Sequence, residues 1–147
     1  MDVFAENRRA RFDYEILDTF EAGIELKGFE VKAIKSGRVS IAGCFAIPRG
    51  NELFLVNADI PPYQPKNTPA DYDPKRSRRL LLKREEIKEL LGKSKASGLT
   101  LVPLRMYNKR GYVKVLLGLA RPKKKGDKRE AIRKRETKRE IARTLKN

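Results

Sequence analysis

A run of carboxylates lies near the start of the chain, Glu6, Asp13, Glu15, Asp18, Glu21, Glu25 and Glu30, and paired carboxylates that hold divalent cations are the machinery of many nucleases. Their spacing argues against that chemistry. Where they alternate with Phe12, Tyr14 and Ile16 they follow the two-residue period of a strand, which turns the acids to solvent rather than towards one another. The chain has no histidine and one cysteine, so a Cys/His zinc site, a disulfide and a histidine general base cannot be built. Cys44, in SIAGCFAI, reads as a small apolar core residue. There is no P-loop, GxGxxG or nucleophile elbow. No enzyme, catalytic residue, metal ligand or cofactor is expected, and a carboxylate nuclease is the minor alternative.

What remains to do chemistry is positive charge. Lys and Arg number 35 against 19 Asp and Glu, a formal net charge of +16. Such a charge draws a protein to polyanions, either nucleic acid or an acidic membrane surface. No window approaches 18 apolar residues, and MDVFAENRRARFDYE places acids where a signal peptide needs an apolar run. Nucleic acid is therefore the expected partner, with no membrane and a cytoplasmic location. Basic side chains stand beside aromatics in ENRRARF, VKAIKSGR, KRSRR and YNKRGY, the last with Tyr107 and Tyr112. A cationic groove with stacking platforms is how small barrels hold RNA.

The charge is concentrated at one end. Residues 121–147 carry thirteen Lys or Arg against four Asp or Glu. This arm is rich in helix formers, but its sizeable apolar side chains, Ile132, Ile141 and Leu145, make no continuous stripe. Cation repulsion weakens a helix with nothing to pack on, and phosphates reverse that term. The arm is expected to be disordered when free and helical on binding RNA.

The elements that position these residues follow from periodicity. FDYEILDTF and IELKG read as two strands around a turn at EAG, and GFEVKAIKSG as a helix. VSIAGCFAI and LFLVNADI read as a hairpin over PRGNE. PPYQPKNTPADYDPKRSRR holds five of the eight prolines and reads as a loop. LLLKREEIKELLGKSKASG reads as an amphipathic helix with Leu80, Ile87 and Leu91 on one side. LTLVPLRMY and GYVKVLLGLA are central strands around NKRG. The fold class is mainly β with flanking helices. Residues 1–120 form an OB-fold-like antiparallel barrel and residues 121–147 the basic tail.

Taken in order, ENRRARFDYEILDTFEAGIELKGFEVKAIKSGRVSI, DPKRSRRLLLKREEIKELLGK, GLTLVPLRMYNKRGYVKVLLGLA and KKKGDKRE resemble the successive signatures of the SmpB family of SsrA-binding proteins. The resemblance runs from about Glu6 to the C-terminus. It implies an OB-like barrel with a tail unstructured in isolation, and an adaptor that binds the tRNA-like part of transfer-messenger RNA (tmRNA, SsrA RNA). With elongation factor Tu that adaptor delivers the RNA to stalled ribosomes for trans-translation, its tail becoming helical on ribosomal RNA in the mRNA path. A monomer is expected. The family's RNA-contacting positions fall on Asn7, Glu21, Leu81 and Lys114, joined in the expected set by Arg8, Arg9 and Lys32 of the basic clusters. The ribosome-binding tail set is Asp127, Lys128 and Arg129 of the DKR triad with Arg133 and Lys134, Asp127 capping the helix while the cations meet phosphate. This chain departs from the family pattern at Gly126, where His or Tyr is usual, and at Thr137, which replaces an aromatic. It also departs at Pro122 and Lys83. A general ribosome-associated RNA-binding protein or RNA chaperone is the alternative reading.

Overall fold

The structure, a computed structural model, describes residues 2–96 and 98–123. The tail set from Asp127 to Lys134 therefore lies outside the described residues. In chain order the elements are β1 (Val3–Glu6), the single turn α1 (Ala10–Asp13), β2 (Tyr14–Ile24), α2 (Gly28–Lys35), β3 (Phe45–Arg49) and β4 (Glu52–Val56). A 3-10 turn (Pro65–Asn67) precedes β5 (Arg78–Leu81), α3 (Arg84–Ala96), β6 (Thr100–Lys109) and β7 (Tyr112–Pro122).

All pairings between strands are antiparallel, in the order β1-β6-β3-β4-β5-β2-β7, and β6 also pairs with β7. That last pairing closes β6, β3, β4, β5, β2 and β7 into a barrel, which removes the open edges that a sheet of this size would otherwise expose. β1 lies against Arg105–Tyr107 of β6, while β3 meets the same strand at Leu101. The barrel is filled by Leu53, Leu55, Leu80, Met106, Val115 and Leu117, with Ile34 of α2 and Leu90 of α3 packed onto it, all at most 2% exposed. Cys44 is buried among them, and desolvation pushes its thiol up to about 12. No helix among the described residues is long and apolar enough to cross a membrane.

The hairpins β3–β4 and β6–β7 and the helix α2 form where the sequence predicts them. At the tip of β6–β7 Arg110 and Gly111 both have positive φ, 52° and 85°, the two-residue turn whose twist suits a hairpin. Three expectations are corrected. The predicted turn at EAG does not exist: β2 is one strand of 11 residues that runs through Glu21, Ala22 and Gly23. β7 offers it partners from Lys114 to Pro122, so ladder hydrogen bonds override the local turn propensity. Leu80 and Leu81 belong to β5, not to the helix, because Leu80 pairs with Leu53 and Ile24 and points into the core. The regular strand β3 begins at Phe45; upstream, Ser40 and Asp59 form a single bridge and Gly43 takes φ +73°. β1, which ends where the basic cluster ENRRARF begins, has no predicted counterpart. β7 continues to Pro122, two residues past the boundary drawn at 120.

Glu30 is a fourth correction. Grouped by sequence with solvent-facing acids, it is 0% exposed. Arg78, also 0% exposed, donates from Nε to its Oε2 at 2.7 Å. Arg76 donates to both carboxylate oxygens, the Tyr72 hydroxyl donates to Oε2 at 3.0 Å, and the Lys27 amide donates to Oε1 at 2.8 Å. Burial alone would push the carboxyl up, but the bonds from Arg76, Lys27 and Arg78 hold it below the usual carboxylate range. The basic cluster KRSRR is thus largely occupied inside the protein: two of its arginines tie the proline-rich loop to the start of α2.

Candidate nucleic-acid interface

Strand register assembles the candidate site. Leu81 of β5 stands opposite Gly23 of β2, Gly23 opposite Lys114 of β7, and Lys114 opposite Tyr107 of β6. One cross-strand row therefore brings together residues up to 91 positions apart in the chain. Leu81 is 46% exposed, whereas Tyr107 is 4% exposed. A Cβ on Gly23 would lie 3.2 Å from the Leu81 Cβ, so the absence of a side chain there is what opens the row into a trough. Lys83 and Ile87, at the start of α3, stand on one side and Lys114 on the other.

Glu21 lies two residues before Gly23 and sits beside the trough. It accepts from the Tyr107 hydroxyl through Oε2 and from Lys109 Nζ through Oε1 at 2.9 Å. The Tyr107 bond first, and then Lys109, hold its carboxyl below the usual range. Burial, followed by the bond to Glu21, raises the Tyr107 phenol above its ordinary value. Both oxygens of Glu21 are thus engaged by the chain's own donors. Its role in this geometry is to fix Lys109 next to Lys114, in keeping with an acid that orients a basic neighbour. It is not a turn residue.

Of the expected set, Glu21, Leu81 and Lys114 converge on this trough. Asn7 and Arg8 do not. They line a separate concavity of about 300 Å³ with Arg11, Leu104 and Arg105, where Asn7 Nδ2 donates to the Pro103 carbonyl at 3.0 Å. Arg9 lies 3.3 Å from Asp13 and stacks over the Phe12 ring at 5.4 Å. Lys32 is exposed on α2 and lines neither concavity. The two tyrosines of YNKRGY part company: Tyr107 is buried and Tyr112 is 71% exposed. Gly23 and Arg105 were not singled out by sequence, and Lys109 only as part of YNKRGY. Gly23 was hidden by the turn reading of EAG, and the places of Lys109 and Arg105 become visible only when β6 is set in register against its neighbours. No group of three or more His, Cys, Asp or Glu among the described residues could hold a metal ion.

The trough is floored by leucines and rimmed by Arg79, Lys83 and Lys114 together with Glu21, Glu52 and Glu86, and it lies on the outer face of a closed OB-like barrel, an architecture that small nucleic-acid-binding barrels use. Comparison with known proteins narrows the class. The profile of the SmpB protein family matches residues 4–147, and the chain belongs to that family. The SsrA-binding protein of Synechococcus elongatus is 54% identical over 144 residues, 98% of this chain and 94% of that protein. The SsrA-binding protein of Enterococcus faecalis is 50% identical over 145 residues, 99% of this chain and 94% of that protein. A chain solved under the description "tmRNA-SmpB: a journey to the center of the bacterial ribosome" is 55% identical. It superposes with a TM-score of 0.67, covering 87% of this chain and 93% of that one.

Proposed function

We propose that this protein is a non-catalytic adaptor that binds the tRNA-like domain of transfer-messenger RNA and brings it to stalled ribosomes for rescue and peptide tagging. The observation that carries the reading is the cross-strand row Leu81–Gly23–Lys114 with Glu21 and Lys109 beside it. It sets Lys114, with Lys109 nearby, beside an apolar floor on a surface made from β2, β5 and β7. Relatives named SsrA-binding proteins, and a similar chain solved in work on tmRNA-SmpB and the bacterial ribosome, support the identity of the RNA and its destination.

In this reading Glu21, Leu81 and Lys114 touch or shape the tmRNA site, and Asn7, Arg8 and Arg9 add phosphate contacts at the β1 end. Lys32 adds charge on α2. The basic tail, with Asp127, Lys128, Arg129, Arg133 and Lys134, follows ribosomal RNA as a helix, and elongation factor Tu travels with the RNA. The site of action is the cytoplasm. Cross-linking RNA to the protein in cells, purifying the complex and sequencing the RNA tests the proposal. Strong enrichment of tmRNA over bulk tRNA is the expected result. Equal recovery of many structured RNAs overturns it in favour of a general RNA chaperone.

A further inference from the structure

Beside the trough, on the α2 side of Gly23, lies a pocket of about 230 Å³ whose walls are Leu26, Val31, Leu81 and Tyr112 and whose rim carries Lys114. Only four large apolar side chains among the described residues are markedly exposed, and two of them, Leu81 and Tyr112, line this one pocket. The wall is held in place. Lys35 of α2 donates from Nζ to the Gly111 carbonyl at 3.2 Å, which ties the β6–β7 turn, and Tyr112 next to it, to the helix. Gly23 and Lys114 face each other in the β2–β7 ladder. The floor therefore offers shape and apolar contact rather than an edge code of donors and acceptors.

We infer that this pocket receives a single unstacked nucleobase, with Tyr112 as its stacking face and Lys114 on the adjoining phosphate. The inference rests on the tmRNA-binding reading above and adds to it a specific subsite. Phosphate alone has no use for walls of Leu, Val and Tyr. An apolar side chain from a protein partner has no use for the cation on the rim. A base joined to its phosphate uses both. Because recognition is by stacking and shape, the pocket selects an unpaired nucleotide more than a particular base.

The test uses the full chain and the tRNA-like fragment of tmRNA, intact and with each unpaired nucleotide made abasic in turn. Tyr112 is exposed enough for Tyr112→Ala to leave the barrel folded. That variant is expected to weaken binding to intact fragment by about tenfold, on the scale of one lost base stack, while Tyr112→Trp restores it. One abasic position is expected to weaken the wild-type protein to the same degree, and the variant and that abasic RNA together are no weaker than either alone. The inference is overturned if Tyr112→Ala leaves affinity unchanged, or weakens binding to every abasic RNA by the same factor as to the intact one. If the wild-type protein shows no preference for the fragment over bulk tRNA, the functional reading fails along with it, and that control separates the two failures.

Discussion

Glu30 and Arg78 approach to 2.6 Å with both side chains wholly removed from solvent. One comes from α2 and the other from β5, 48 residues later. Arg78 also donates to the carbonyls of Ala58 and Pro74 at 2.9 Å each, and so ties the proline-rich loop to the barrel wall. Glu30→Ala leaves a buried guanidinium without its counter-charge and is expected to cost about 3–5 kcal/mol, read from urea unfolding. Arg76→Ala is expected to cost less, because that side chain is 27% exposed and water takes the place of its partner.

The same carboxylate makes the fold sensitive to acid. Its folded-state pKa lies below the ordinary 4.5, so its contribution is complete above that value and is lost as pH falls through the folded-state pKa. Unfolding midpoints are expected to hold steady around neutrality and to fall below about pH 4.5. Glu30→Gln, less stable at neutral pH, is expected to show a shallower decline when the same titration is followed by circular dichroism.

Tyr107→Phe keeps the buried ring and removes the hydroxyl that holds Glu21. The expected loss of stability is about 1 kcal/mol. RNA affinity is expected to fall several-fold, because the carboxylate that orients Lys109 is no longer anchored by the phenol, and the Glu21 carboxyl is expected to titrate closer to its ordinary value by NMR.

Lys114→Ala removes one cation from the trough rim. Binding to the tRNA-like fragment is expected to weaken, and the slope of log K against log salt to become shallower by about 0.7–0.9, the contribution of one neutralised phosphate. Filter binding across a salt series measures both. An unchanged slope places Lys114 away from the phosphates.

A chain ended after Lys123 is expected to unfold at the same temperature as the full chain and to bind the tRNA-like fragment nearly as well, yet to support no tagging in a reconstituted translation assay. The cut belongs there and not at 121. Arg121 pairs with Glu15 at 2.5 Å, and Lys123 donates its amide to the Asp13 carbonyl at 3.0 Å, so both are part of the barrel.

What could be read from sequence was the local pattern. The β6–β7 hairpin announced itself by apolar runs around NKRG, α2 by its i,i+4 pairs between glycines, and the loop by its prolines. What could not be read was anything that depends on pairing across distance. EAG has turn composition and still runs straight, because β7 is there to receive it. Glu30 looks like any acid between apolar residues until Arg76 and Arg78 are folded back onto it. Leu81 and Lys114 were placed by resemblance to the SmpB family; that they share a row through Gly23 follows only from register.

β2 begins at Tyr14 and finds its longest partner in β7, which ends at Pro122. Synthesis proceeds from the N-terminus, so the earlier strand must wait for about a hundred residues before its neighbour leaves the exit tunnel. Leu81, Gly23 and Lys114 are then aligned in one late event. A polypeptide cut short before β7 lacks Lys114 and the strand against which both Gly23 and Tyr107 are set in register.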